Sequence, residues 1–473
     1  MTSVSELHEI FASQKAAFGQ QGAPSLDERR AHLGALAQLV VANRSRIRAA
    51  MSADFAVHPE LFTDLIEVLG VAGRAAYAAE QLAQWAAPQE READPGLFGS
   101  ARAAISYQPK GVVGNIVPWN FPFDLSLGPL VEMLAAGNRA IIKPSEFTPA
   151  CGELLKDMIA ATFDPDHVAV VTGELELATA FAAVRWDHLL YTGSPEVGRK
   201  VAVAAAQNLV PVTLELGGKN PAIVNEDSVD AETVGQILGA KMIKNGQMCI
   251  TVDYCLVPRA KMQEFVDLAH KHVVERTPGY STTADCTGII SERHLDRLTG
   301  LLEEAGKKDG QVVSLEPDAK IDRSTRQMPI SLVVDPSDDL ALMREEIFGP
   351  ILPIKPYDSV DEALAYVNAG ERPLALYVFS KDNSVADYVL DRTTSGGACV
   401  NSCALQGALP SLGFGGIGQS GSGRHHGIEG FREFSNPRGV VRRGENDLVE
   451  ALLPPYGPLA EAVVTAALNG PQD

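Results

Sequence analysis

Leu33, Leu36, Leu39 and Val40 recur at helical spacing behind Ser25-Leu26-Asp27-Glu28, a capping-box pattern. Helical patterning continues to about Trp85. Ala87–Gly99 holds two prolines and several charges and reads as a loop. Ala101–Gln108 alternates weakly, as a strand lying away from a main sheet would. From Gly111 the pattern changes to short apolar runs at Val112–Val117, Ala140–Lys143, Val168–Val171 and His188–Tyr191. Helical stretches near Leu125–Ala136, Cys151–Ala161 and Leu175–Ala183 separate them. This alternation predicts βαβ units and a parallel sheet, whose strand ends bind ligands.

A second α/β block is predicted from about Thr213. Its strands are Ala222–Val224, Asp253–Val257, Ile351–Ile354, Ala375–Phe379 and Ala398–Val400. Helices near Val229–Asn245, Met262–Val274, Asp361–Asn368 and Ser384–Asp391 intervene. Leu412–Gly423 is glycine-rich, and Gly439–Arg443 forms one more short strand.

Composition narrows the class. A chain of 473 residues is too long for a single core. With 40 basic and 60 acidic residues the formal charge is −20, which disfavours a nucleic-acid or anionic-membrane partner. No apolar run is long enough to span a membrane, and Met1–Gln20 has no apolar signal core. The six cysteines show no metal-ligand spacing, so no metal and a reducing cytoplasm are expected.

Five stretches carry candidate chemistry. Gly246-Gln247-Met248-Cys249-Ile250 sets a cysteine behind a glycine-opened turn, and Thr213-Leu214-Glu215-Leu216-Gly217-Gly218 sets a carboxylate among apolar residues. A thiol and a base of raised pKa suit acyl-thioester chemistry. Pro118-Trp119-Asn120-Phe121-Pro122 fixes Asn120 between two prolines, where its amide could hold an oxyanion. Tyr191-Thr192-Gly193-Ser194-Pro195 follows a strand and opens a helix, so its N–H groups could hold a phosphate. Lys143-Pro144-Ser145-Glu146 at a strand end suits a ribose. Read singly, each is equally a core cysteine, a helix cap or a proline turn.

Together they change the reading. PWNFP, AAGNRAIIKPSE, YTGSPEVG, TLELGGKNP, GQMCI, REEIFGP and LGFGGIGQSGSGRHHG run in an order that resembles the NAD(P)-dependent aldehyde dehydrogenases from about residue 10 to 440. Val117–Ala150, Asp253-Tyr254 and Pro454-Pro455-Tyr456 are similar to the class-3 and coniferyl-aldehyde-dehydrogenase branch. The resemblance implies an α/β fold with a Rossmann-like cofactor domain over 1–95 and 111–212 and an α/β catalytic domain over 213–405. It adds a small β bridging element from 96–110 and 430–445, a tail at 446–473, and a homodimer. It makes Cys249 the nucleophile, its thiolate favoured by the site, and Glu215 the base that activates water for deacylation. Asn120 and the Cys249 N–H would hold the oxyanion. Trp119, Lys143, Glu146, Gly193, Ser194, Val197, Glu346 and Phe348 would bind NAD or NADP.

Asn401 keeps the branch pattern, but Ser402, Gln406 and Gly413 depart from it near the family's substrate entrance, so the coniferyl substrate does not carry over. Val252 and Cys255 also depart. A coenzyme A-acylating or semialdehyde dehydrogenase of the same fold, or a non-catalytic fold-mate, are the alternatives. Retention of Glu215 argues against the first, and retention of all three of Cys249, Asn120 and Glu215 against the last.

Overall fold

The computed structural model describes residues 1–308 and 310–469; the last four residues of the expected tail lie outside them. At Ser25 the capping box forms: the Glu28 N–H donates to the Ser25 hydroxyl at 3.3 Å, and the Ser25 N–H to the Glu28 carboxylate at 2.7 Å. The helix Leu26–Ala42 starts there. Arg44–Phe55 and Val71–Ala86 follow, with a π-helical stretch at Asp64–Gly70 between them. Leu33, Leu36 and Val40 are fully buried with Ala75, Ala78 and Leu82.

A six-stranded sheet runs 421–422, 212–216, 188–193, 112–116, 139–143, 168–170, all parallel except the short first strand. A seven-stranded sheet runs 311–314, 331–334, 351–357, 254–258, 221–224, 375–379, 397–400, antiparallel only at its first pair. A third, antiparallel sheet joins Gln89–Arg91, Arg102–Pro109 and Ser435–Arg442, so the strand expected near residues 101–108 does lie apart from the main sheets. Loops leaving the first sheet's strands meet loops entering the second sheet's strands, and the candidate site lies between them.

Three expectations change. Val212–Leu216 pairs with His188–Gly193 and belongs to the first sheet, although the second α/β block was expected to start near Thr213. The helix Val4–Gln21 was not read from the sequence, although Val4, Leu7, Ile10 and Phe11 recur at helical spacing and pack into a core cluster. Its Gln14 amide donates to the carbonyls of Ala140 at 3.2 Å and Pro165 at 2.9 Å. Glu292–Lys307 and the strands Gln311–Ser314 and Ser331–Val334 fill a span that the sequence reading left unassigned.

Candidate active site

The helix Ala231–Met242 ends in a turn of three left-handed residues, Lys244, Asn245 and Gly246 at φ +50°, +53° and +79°. At Gly246 a side chain would force the Gly349 loop to move, since a Cβ would lie 2.2 Å from the Gly349 carbonyl oxygen. The turn delivers Cys249 to a cavity of about 230 Å³, where Asn120 and Glu215 also lie. The Asn220 amide locks this loop: Nδ2 donates to the carbonyls of Cys249 at 2.7 Å and Thr251 at 3.0 Å, and Oδ1 accepts from the Ala375 N–H at 2.8 Å.

Glu215 ends the strand Val212–Leu216 and is almost wholly buried. Neither of its oxygens has a hydrogen-bond partner among the described residues. Burial pushes its carboxyl up to about 8, while the neighbouring Cys249 thiol pulls the other way. The Cys249 thiol is itself pushed well up, first by burial and then by the Glu215 and Glu346 carboxylates. The groups this chain places near the sulfur, a low-dielectric surround and two carboxylates, favour the thiol, where the resemblance implied a thiolate. Asn120 Nδ2 donates to the Gln247 carbonyl at 3.2 Å, which turns the amide toward the cysteine loop.

The remaining cavity wall suits a nucleotide. Gly193 and Ser194 lie at the carboxyl end of a strand, and Ser194 Oγ accepts the Val197 N–H at 3.4 Å above Pro195, opening the helix Pro195–Ala206. A Cβ on Gly193 would meet the Tyr191 hydroxyl at 2.4 Å. Val197 is exposed in that helix's first turn. Glu346 reaches inward past Gly217, whose Cβ would be 2.0 Å from its Oε2. Its Oε1 is buried without a partner among the described residues, and burial pushes the carboxyl up to about 8. An unpartnered buried carboxylate is an acceptor waiting for hydroxyls, so these residues fit a ribose-bearing cofactor. Phe348, at φ +52°, meets the Trp119 ring edge-on at 5.3 Å. Past Ser194, Gly217 and Glu346 the cavity opens into a cleft of about 900 Å³.

Lys143 and Glu146 stand outside this cavity, at the end of the strand Arg139–Lys143, paired to each other at 3.1 Å. Lys143 is buried and Glu146 exposed. Gln406, expected near a substrate entrance, is turned inward: Oε1 accepts from the Cys399 thiol at 2.6 Å and Nε2 donates to the Tyr377 hydroxyl at 3.3 Å. Its segment still packs by the nucleophile loop, since a Cβ on Gly407 would meet Ile250 at 2.8 Å. His294 and Arg297, also on the cavity wall, have no motif to announce them. Arg297 donates to the Ile347 carbonyl and steadies the Glu346–Phe348 loop. Among the described residues no helix is long and apolar enough to cross a membrane, and no cluster of three His, Cys, Asp or Glu could hold a metal.

A thiol, an oriented amide and a buried carboxyl lie together beside a nucleotide-shaped strand edge. The comparisons name the class of protein. The aldehyde dehydrogenase family model matches residues 2–440. A coniferyl aldehyde dehydrogenase of Pseudomonas sp. strain HR199 is 39% identical over 469 residues, covering 98% of this chain and 96% of that one. The substrate-bound structure of Staphylococcus aureus AldH superimposes with a TM-score of 0.91 at 32% identity, covering 98% of this chain and 99% of that one. A Mycobacterium tuberculosis aldehyde dehydrogenase complexed with NAD+ gives 0.84 at 27% identity, covering 93% and 90%. The chain belongs to the aldehyde dehydrogenase family, on the branch that its motifs indicated. It is an oxidoreductase that converts an aldehyde to a carboxylic acid, with NAD or NADP as cofactor.

Proposed function

We propose that Cys249 is the nucleophile of this oxidation, Asn120 and the Cys249 N–H its oxyanion donors, and Glu215 its general base. The observation that carries the reading is the convergence of Cys249, Asn120 and Glu215 on one cavity whose far wall is Ser194 and Glu346. The Cys249 thiol gives up its proton to solvent, and the sulfur adds to the aldehyde carbon. The Asn120 amide and Cys249 N–H hold the oxygen as its charge develops. Bound nicotinamide supplies the hydride acceptor. Oxidation leaves a thioester on Cys249; Glu215 then takes a proton from water, which attacks the thioester and releases the acid and the thiol.

Glu346 would take hydroxyls of the nicotinamide ribose, with Phe348 and Trp119 forming the wall beside it. Gly193, Ser194 and Val197 would receive the phosphates at their helix start. Lys143 and Glu146 would hold the adenosine ribose once their mutual pair opens. An acidic Glu146 there repels a 2′-phosphate and favours NAD. On this reading the cofactor domain spans 1–95 and 111–216 and the catalytic domain 217–405. The bridging element is 96–110 with 430–445, and the tail runs from 446.

The protein would work as a homodimer in the cytoplasm. Ser435–Arg442 leaves one edge of the third sheet unpaired, and the helix Pro458–Asn469 buries none of its residues, with Val464 and Leu468 54% and 81% exposed. The free state of all six cysteines suits a reducing compartment.

Absorbance of the reduced nicotinamide with a panel of aldehydes, arylpropenals first because of the coniferyl relatives, tests the reading. Turnover with NAD ahead of NADP, abolished in Cys249→Ala, is expected. Full turnover in Cys249→Ala would sink it.

A further inference from the structure

A buried ion pair outside the reacting groups ties the two sides of the site together. Lys244 and Glu67 both have fully buried side chains, with Nζ 3.3 Å from Oε1. Burying two charges costs more than their attraction returns unless their other donors and acceptors are satisfied. Here they are. Glu67 Oε2 accepts the N–H groups of Phe123 at 3.0 Å and Asp124 at 2.7 Å. Those groups open the helix Asp124–Ala136, where Phe123 at the N-cap makes no side-chain cap bond. Lys244 Nζ also donates to the Asn120 carbonyl and lies over the rings of Phe55 at 4.6 Å and Phe121 at 4.5 Å. Burial pushes the Glu67 carboxyl up and the Lys244 ammonium down, while their mutual attraction, the N–H groups on the carboxylate and the ring faces on the ammonium work against that.

The place of this pair gives it a use. Lys244 sits in the left-handed turn that leads to Cys249, a conformation a lysine keeps only when its surroundings hold it. It grips Asn120 by the carbonyl, while the Asn120 side chain binds the Gln247 carbonyl in the same loop. We propose that Lys244, anchored by Glu67, is a positioning residue that fixes the Asn120 amide relative to the Cys249 N–H, so that both meet the oxyanion. This rests on the oxyanion role given to Asn120 above. Stability alone would be served as well by an apolar side chain of Lys244's volume; alignment would not.

The test is a cycle of Lys244→Met, Asn120→Ala and the double variant in the full-length enzyme. Stopped-flow absorbance reads the first-turnover burst of reduced cofactor, and circular dichroism checks folding. Lys244→Met should keep the cofactor KM within about twofold and slow the burst about 10²-fold, the scale of an ångström of misplacement or a lost oxyanion donor. In the Asn120→Ala background it should cost less than about threefold more, because residues acting through one another do not add. A normal burst in Lys244→Met, or a loss that multiplies in full with Asn120→Ala, overturns the proposal. A normal burst in Asn120→Ala instead overturns the oxyanion reading beneath it. Should Lys244→Met fail to fold, Glu67→Gln runs the same cycle with the same deciding outcomes.

Discussion

Glu215 is the residue whose environment most directly sets a measurable rate. Its carboxyl is pushed to about 8 by burial, so the base form grows as pH rises through that value. Steady-state turnover limited by deacylation should climb from pH 6.5 and level off above about 8. Glu215→Gln should lose this limb and slow turnover by roughly 10²- to 10⁴-fold, the ordinary worth of a general base, while the burst of reduced cofactor survives. A Glu215→Gln profile that keeps its rise near 8 would contradict the assignment. Cys249, Glu215 and Asn120 were legible in the sequence because each sits in a short local motif. Glu67, Lys244, His294 and Arg297 were not: Glu67 comes from a π-helical stretch and His294 and Arg297 from an amphipathic helix, and only folding brings them to the site. The upward push on the thiol was likewise hidden, since it comes first from burial in the folded cavity and then from the Glu215 and Glu346 carboxylates.

At the scale of elements, the site depends on the turn that ends the helix Ala231–Met242. Gly246→Ala must place a Cβ 2.2 Å from the Gly349 carbonyl oxygen at φ +79°. The strained conformation alone costs about 1–3 kcal/mol, and displacement of the Gly349 loop adds to it. Thermal denaturation should show a clear fall in Tm and the assay a loss of turnover; a variant with unchanged Tm would show that the turn is softer than described. The sequence predicted the strands of the first sheet well because βαβ repeats carry their own punctuation. It misplaced Val212–Leu216 because the partner of a strand is fixed by tertiary pairing with His188–Gly193, which no local pattern reveals. The helix Val4–Gln21 escaped notice although Leu7, Ile10 and Phe11 form an apolar stripe, which the buried amide of Gln14 interrupts.

For the whole molecule, the two α/β blocks make the cavity and the third sheet makes an edge. Ser435–Arg442 pairs on one side only, with Val441 68% exposed, and such an edge invites a second copy. Light scattering should give twice the chain mass of 50.4 kDa. Gly439→Pro or Val441→Lys should shift the population toward monomer, and a wild-type monomer at micromolar concentration would remove the dimer from the account. The −20 formal charge disfavours association with nucleic acid; it says nothing about an anionic cofactor, which needs only local donors.

The central claim is that the aldehyde carbon becomes bonded to Cys249 and leaves only with help from Glu215. Intact-protein and peptide mass spectrometry of Glu215→Gln, mixed with aldehyde and NAD and quenched in acid, tests it most directly. A mass increase equal to one acyl group, mapped to the peptide carrying Cys249, is the predicted result. An acyl group on another cysteine, or a burst of reduced cofactor with no acyl group on the protein, would contradict it.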